Sequence, residues 1–253
     1  MRTVLARILL IAAFLVIWHV ASGTVVAEFL ASKPGRVFNG FFQIVMDGTY
    51  FFHAFQTLRA VLYGFAIGGV AGVSLGYWLA ISPFWSTAME PIISTAYTLP
   101  RIALVPILII WIGIGQSLAI AISAILVFFL LFYNTYYGVR DVDESLVNSI
   151  RIMGGSAWDV ATRVRLPSAF VWIVAGMKVS LPQAFVGVVT AEILASNRGL
   201  GYLVSRRAGQ FDMTGAFAVL LGLLVLGFLL DRAVTLLSAR ALVWKTVDVK
   251  GAG

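Results

Sequence analysis

Six runs of mostly apolar residues, each long enough to cross a bilayer, account for most of this 253-residue chain. A spanning helix needs roughly 20 such residues. In lipid no water meets the backbone N–H and C=O groups, so a spanning run has to satisfy them internally, as a helix does. The runs fall at 7–27, 57–81, 89–113, 117–138, 169–195 and 216–239. They predict an all-α, polytopic membrane protein with six transmembrane helices, forming a single transmembrane domain over 1–253. Only 11% of the residues are charged, against about 25% in a soluble domain. The N-terminus, Met1-Arg2 to Arg7 followed by an apolar stretch, has the look of a signal peptide. Its apolar stretch is long for one and no obvious cleavage pattern follows, so it is read as a retained first helix.

Residue types narrow the chemistry. With no cysteine, a disulfide framework, a thiolate nucleophile and a Cys-ligated zinc site are excluded. The two histidines, His19 and His53, lie in different segments, which argues against a histidine metal or catalytic site. The net charge of +7 reflects cations at the ends of apolar runs, and is read as membrane topology and not as nucleic-acid binding. With both termini inside, the inside segments hold ten cations: Arg2, Arg7, Arg140, Arg151, Arg163, Arg165, Arg232, Arg240, Lys245 and Lys250. The outside segments hold six, Lys33, Arg36, Arg59, Arg198, Arg206 and Arg207. The bias has the sign expected for cytoplasmic termini.

The connection 140–167 is the one long polar stretch on the inside. Asp141-x-x-Glu144 resembles a capping signal, and Leu146, Ile150 and Met153 recur at helical spacing. Gly154-Gly155 stops that helix, and Ser156-x-x-Asp159 fits a capping box opening a second one, with Trp158, Ala161 and Val164 on one face. Leu166-Pro167 closes the loop. Two short helices joined at a glycine pair would either lie on lipid as a connector or serve as a docking element for a cytoplasmic partner.

This loop resembles the EAA loop of the membrane subunits of bacterial ABC importers that work with a binding protein. That pattern is E-A-A, three residues, Gly, nine residues, Ile-x-Leu-Pro. Gly154 takes the glycine position, Val164 the isoleucine position, and Leu166-Pro167 the end. Asn148-Ser149-Ile150 stand where E-A-A would, so the glutamate is absent. Leu99–Pro106, Trp111–Gly115, Ala191-Glu192, Gly199–Tyr202 and Leu230-Asp231-Arg232 resemble the branch for sulfonates, taurine, nitrate and thiamine precursors. The likeness runs from about Pro34 to Trp244. It implies a permease of type I ABC importer fold in the bacterial inner membrane, without ATPase activity of its own. It further implies a homodimeric pathway, ATPase subunits gripping the 140–167 loops, and an extracytoplasmic solute-binding protein. ATP and magnesium would be bound by the ATPase partners, leaving this chain without a cofactor. An ion-coupled secondary transporter is the alternative class, but no intramembrane acid cluster or repeat supports it.

Gly64, Gly68, Gly72 and Gly76 recur every four residues on one helix face, which allows close backbone approach within the subunit or at a dimer contact. Arg101, Lys178 and Glu192 lie within apolar runs. An ionisable residue there faces protein or water, so the three are pathway candidates. Each also has a plainer reading. Arg101 could pair with a buried acid, Lys178 could snorkel, and Glu192 could pair with Arg198. The outside residues Arg206, Arg207 and Asp212 could meet the binding protein or simply be solvated.

Overall fold

A computed structural model describes residues 2–98 and 100–241. Leu99, the first residue of one resemblance motif, and the stretch 242–253 with Trp244, Lys245 and Lys250 lie outside the described residues. The chain runs through α1 (Arg2–Ala21), α2 (Glu28–Ala31), α3 (Pro34–Met46), α4 (Thr49–Ile81), α5 (Pro83–Thr98) and α6 (Val105–Ile112). It continues through α7 (Gln116–Arg140), α8 (Glu144–Ile152), α9 (Ala157–Val160), α10 (Leu166–Ala195), α11 (Leu200–Gly209) and α12 (Met213–Ala241). Among the described residues five helical segments are long and apolar enough to span, or six with one bent pair counted as a span.

The pair α4 and α7 organises the rest. A Cβ added at Gly68 would stand 2.2 Å from the Ala124 carbonyl oxygen, and one at Gly72 or Gly76 would stand 2.6 Å from that of Phe128 or Phe132. At Gly64 it would meet the Ser123 side chain at 2.4 Å. The glycine row therefore packs inside the subunit, backbone against backbone. On the flank of this pair α10 completes the core, with Ala60, Val61, Leu118, Ile122, Leu131, Ala184 and Val188 buried together. A second core joins α3 and the start of α4 to α11 and α12 through Ile44, Tyr50, Leu200, Leu203 and Val219. By contrast no residue of the α1 spanning window is buried, and the helix is tied by Trp18, whose ring meets Phe217 on α12 and whose Nε1–H donates to the Ala31 carbonyl at 3.1 Å. Its exposed leucines and isoleucines suit a lipid surround.

The stretch expected to span at 89–113 is bent, not straight. Two helical pieces, Pro83–Ala96 and Arg101–Ile112, meet at 85°. Pro100 has extended ψ and lacks an N–H, and a 3₁₀ turn over Arg101–Leu104 follows before Pro106 opens α6. Apolar length alone counts this stretch as one span because hydropathy is blind to the two prolines.

The second short helix of the 140–167 connection is likewise not separate. From α9 the backbone passes through a π turn, Ala161–Arg165, straight into α10. Leu166-Pro167 thus begins a helix and does not close a loop. Pro167 sits in the first turn of α10, after that wider turn, where its missing N–H costs little.

Candidate functional site

The segment between α7 and α10 is built by local rules. Asp143, and not Asp141, is the N-cap of α8, accepting from the Ser145 N–H at 2.8 Å; Asp141 ends α7. The bonds from Ser145 hold the Asp143 carboxyl below the usual carboxylate range. At the other end of α8, Gly154 N–H donates to Arg151 O at 3.0 Å and Gly155 N–H to Ile150 O at 2.9 Å. These are the two bonds of a Schellman stop, which needs a left-handed residue, and Gly154 supplies it at φ +81°. Gly155 is close-packed, since a Cβ there would stand 2.5 Å from Ile150 Cγ2.

The turn then reverses into α9 through a reciprocal capping box. Asp159 N–H donates to Ser156 Oγ at 3.2 Å, and Ser156 N–H to Asp159 Oδ2 at 3.0 Å. Asp159 also pairs with Arg163 at 3.2 Å. From the bundle, Tyr77 on α4 donates its hydroxyl to the Ala161 carbonyl at 2.7 Å. That bond ties the end of a spanning helix to the π turn. Sequence reading missed Tyr77, which has no local pattern and lies 84 positions away.

The buried and exposed faces differ from expectation. Val147 is the buried residue of α8, and Val160 and Ala161 are those of the next turn. Leu146 and Met153 face outward, as does Trp158, which parts it from Ala161 and the half-buried Val164, expected on one face with it. Leu146, Ile152, Met153 and Trp158 are 53%, 86%, 83% and 75% exposed. Four large apolar side chains thus stand uncovered on a polar, capped turn, a pattern that monomeric surfaces rarely show without a partner. Asn148 and Ser149 are also exposed, Ser149 Oγ bonding back to Ser145 O at 2.8 Å, while Leu166 and Pro167 are exposed at the start of α10.

The three ionisable residues within the apolar runs are not brought together. Arg101 lies over the Phe129 ring at 5.1 Å. Lys178 is exposed on α10, on the uncovered face that also holds Ala175, Val179, Pro182 and Val186. Glu192 is only 3% exposed. Its two oxygens accept from the Thr57 hydroxyl, each at 2.9 Å, and one also accepts from the Gly201 N–H at 2.9 Å. Thr57 Oγ1 in turn accepts from the Leu200 N–H at 2.9 Å, and His53 Nδ1 accepts from Gly199 N–H at 3.1 Å. Glu192 therefore meets α4 and the positive end of α11, and not Arg198. Gly199 and Gly201 are required by this contact, since a Cβ would fall 2.1 Å from Glu192 Cδ and 2.5 Å from Val189 O respectively. Gly-Leu-Gly after an Ala-Glu pair was the available signal; Thr57 and His53 left none.

Replacing Glu192 with leucine should leave the Gly201 N–H buried and unpaired, at a cost of about 1–3 kcal/mol. The purified protein should melt at lower temperature, and Glu192→Gln, which keeps an acceptor, should melt between the two. Equal melting of Glu192→Leu and the parent would remove this role. On the same side Arg207 and Asp212 pair with each other at 2.7 Å, and Asp212 accepts from Gly215 N–H at 2.9 Å, while Arg206 is exposed.

The family model described as "Binding-protein-dependent transport system inner membrane component" matches residues 68–243. SsuC of Bacillus subtilis (strain 168), named for aliphatic sulfonates transport, is 30% identical over 240 residues, covering 94% of this chain and 87% of that protein. Formylaminopyrimidine transport permease protein ThiX of Halalkalibacterium halodurans is 29% identical, covering 91% of this chain and 92% of that one. Taurine transport system permease protein TauC of Escherichia coli (strain K12) is 27% identical, covering 90% and 84%. Among solved structures, an inward-facing MetNI methionine ABC transporter aligns with a TM-score of 0.64 at 19% identity, over 74% of this chain and 94% of that chain.

Proposed function

The chain belongs to the family of binding-protein-dependent transport system inner membrane components, the permease subunits of ABC importers, and from that premise we propose how it is driven and what it carries. It is a multi-pass inner-membrane protein without ATPase activity of its own, and its partners are an ATPase and a binding protein. In the proposed arrangement two copies form the pathway with both termini cytoplasmic. Cytoplasmic ATPase subunits, which hold the ATP and magnesium, grip the segment from Arg140 to Pro167. The observation that carries this reading is the uncovered apolar set Leu146, Ile152, Met153 and Trp158. It stands on two helices whose mutual angle is fixed by the Schellman stop at Gly154 and the Ser156–Asp159 box. A push on this surface travels through the π turn into α10 and through Tyr77 into α4.

The proposed solute is a small anion or heterocycle of the kind the relatives are named for, delivered by the binding protein. Lys178 supports the anionic choice. A cation on an uncovered face of a spanning helix has to meet water or protein, and a pathway between two copies offers both. Family membership sets aside an ion-coupled secondary carrier.

The test is ATP-dependent uptake into proteoliposomes holding this chain, its ATPase and its binding protein, with taurine and a formylaminopyrimidine as trial solutes. Uptake should require all three proteins and ATP. Lys178→Gln should lower uptake at limiting solute about tenfold or more, the worth of one hydrogen bond to a charged group, while the complex still assembles. Uptake driven by an ion gradient without ATP would contradict the reading. Unchanged uptake by Lys178→Gln would move Lys178 out of the pathway.

A further inference from the structure

On the inner side of α8, away from its exposed apolar residues, a cleft of about 360 Å³ opens between α8 and the ends of α4, α5 and α7. Arg140, Arg151 and Arg165 line it, with Glu144 as the one lining carboxylate. Arg140 is already engaged, donating to Ser86 Oγ at 3.0 Å and Tyr136 OH at 2.6 Å, with Glu90 at 3.9 Å. Among the described residues neither Arg151 nor Arg165 has a carboxylate within salt-bridge distance. Asn148 on the same wall is neutral. The cleft thus offers two uncommitted guanidinium groups beside the hydroxyls of Ser86 and Thr87. A planar guanidinium is matched to phosphate oxygens.

A wholly apolar groove of about 220 Å³ follows the same α4–α5–α7 seam deeper into the bundle, lined by Leu75, Trp78, Met89, Ile92, Phe128 and Phe132. The two lie one after the other along the helices, with the Ser86–Tyr136 hydroxyl pair between them. On α7 the step from Arg140 through Tyr136 to Phe132 is one turn at a time, and on α5 Ser86 and Met89 share a face. A basic headgroup cleft over an apolar channel is the form of a phospholipid site, and basic pockets between spanning helices on the cytoplasmic side take anionic headgroups. A soluble anion has no use for the groove.

We propose that this cleft binds the phosphate of an anionic phospholipid of the cytoplasmic leaflet through Arg151 and Arg165, with an acyl chain along the apolar groove. The lipid then bridges α8 to α4, α5 and α7 from the side opposite the ATPase-facing surface. The leaflet rests on the orientation proposed above. Binding in detergent does not, so a failed binding test leaves that orientation, and the permease reading, untouched.

The test is native mass spectrometry of the permease–ATPase complex in detergent, titrated with dioleoylphosphatidylglycerol, dioleoylphosphatidylcholine or inorganic phosphate. The expected result is retention of phosphatidylglycerol over phosphatidylcholine, undisturbed by millimolar phosphate. The double variant Arg151→Gln/Arg165→Gln should bind phosphatidylglycerol roughly tenfold or more weakly, given about tenfold or less per cation. Asn148→Glu, which adds a carboxylate to the wall and keeps both arginines, should weaken it in the same direction and serves if the double variant does not assemble. Arg232→Gln on α12 should not. Equal retention of the two lipids, displacement by inorganic phosphate, or full binding by both Arg151→Gln/Arg165→Gln and Asn148→Glu would overturn the proposal.

Discussion

Gly68→Leu should leave almost no monodisperse protein in detergent extracts, whereas Gly69→Ala should extract like the parent. The difference lies in what each new side chain meets. At Gly68 the first added carbon would stand 2.2 Å from the Ala124 carbonyl oxygen and 3.0 Å from its Cα, all backbone of α7. No rotamer of α7 can yield, so the helices must part, and Gly64, Gly72 and Gly76 lose their contacts together. Overpacking costs about 1–3 kcal/mol where side chains can shift and more where they cannot. At Gly69 the nearest atom is Leu131 Cδ1 at 3.3 Å, the free end of a side chain. Fluorescence-detected size exclusion measures the outcome. A parent-like profile for Gly68→Leu would mean that α4 and α7 do not approach as closely as described.

Gly154→Val should insert and fold yet transport at a small fraction of the parent rate. Nothing lies within 4 Å of a Cβ at this position, so the substitution causes no clash. Its effect is on the backbone, because φ is +81°. A β-branched residue held there costs about 1–3 kcal/mol, and the chain relieves the strain by leaving the Schellman geometry. The angle between α8 and α9 then goes, and with it the fixed spacing of Leu146, Ile152 and Met153 relative to Trp158. At about 1.4 kcal/mol per tenfold, that strain corresponds to a population of correctly shaped segment lowered roughly five- to hundredfold. Gly154→Asn, which tolerates the left-handed region better, should retain intermediate uptake. The measurements are uptake in proteoliposomes and the fraction of ATPase co-purifying. Full uptake by Gly154→Val would show that the angle at the glycine pair does not matter.

What could be read beforehand divides by range. The Ser156–Asp159 box, the Gly154-Gly155 stop and the four-residue glycine row are visible because each is written within a few consecutive residues. Pro100 and Pro106 mark a place where the helix can kink, but length and hydropathy give neither the 85° angle between α5 and α6 nor its exact position. The π turn was hidden because Leu166-Pro167 reads as a helix breaker unless the wider turn before it is known. On α8 the spacing of Leu146, Ile150 and Met153 marks a helix but not its covered face: Val147 is buried, Leu146 and Met153 face outward, and Ile150 lies against the glycine stop. Periodicity shows that apolar residues share a face, but not whether that face meets the core or leaves the subunit. Glu192 was found as a charge in a span, but its partner Thr57 is 135 positions away and its other partner is a backbone N–H. Such bonds leave no trace in spacing.

The coupling role of the α8–α9 turn is tested most directly by photo-cross-linking in native membranes. A photoreactive amino acid is placed in turn at Ile152, Met153, Trp158 and, as the inward-facing control, Val147 in the permease co-expressed with its ATPase. Adducts to the ATPase from positions 152, 153 and 158, and none from 147, are the predicted result. An intact complex that gives no ATPase adduct from any of the three outward positions would contradict the assignment of this surface as the ATPase dock.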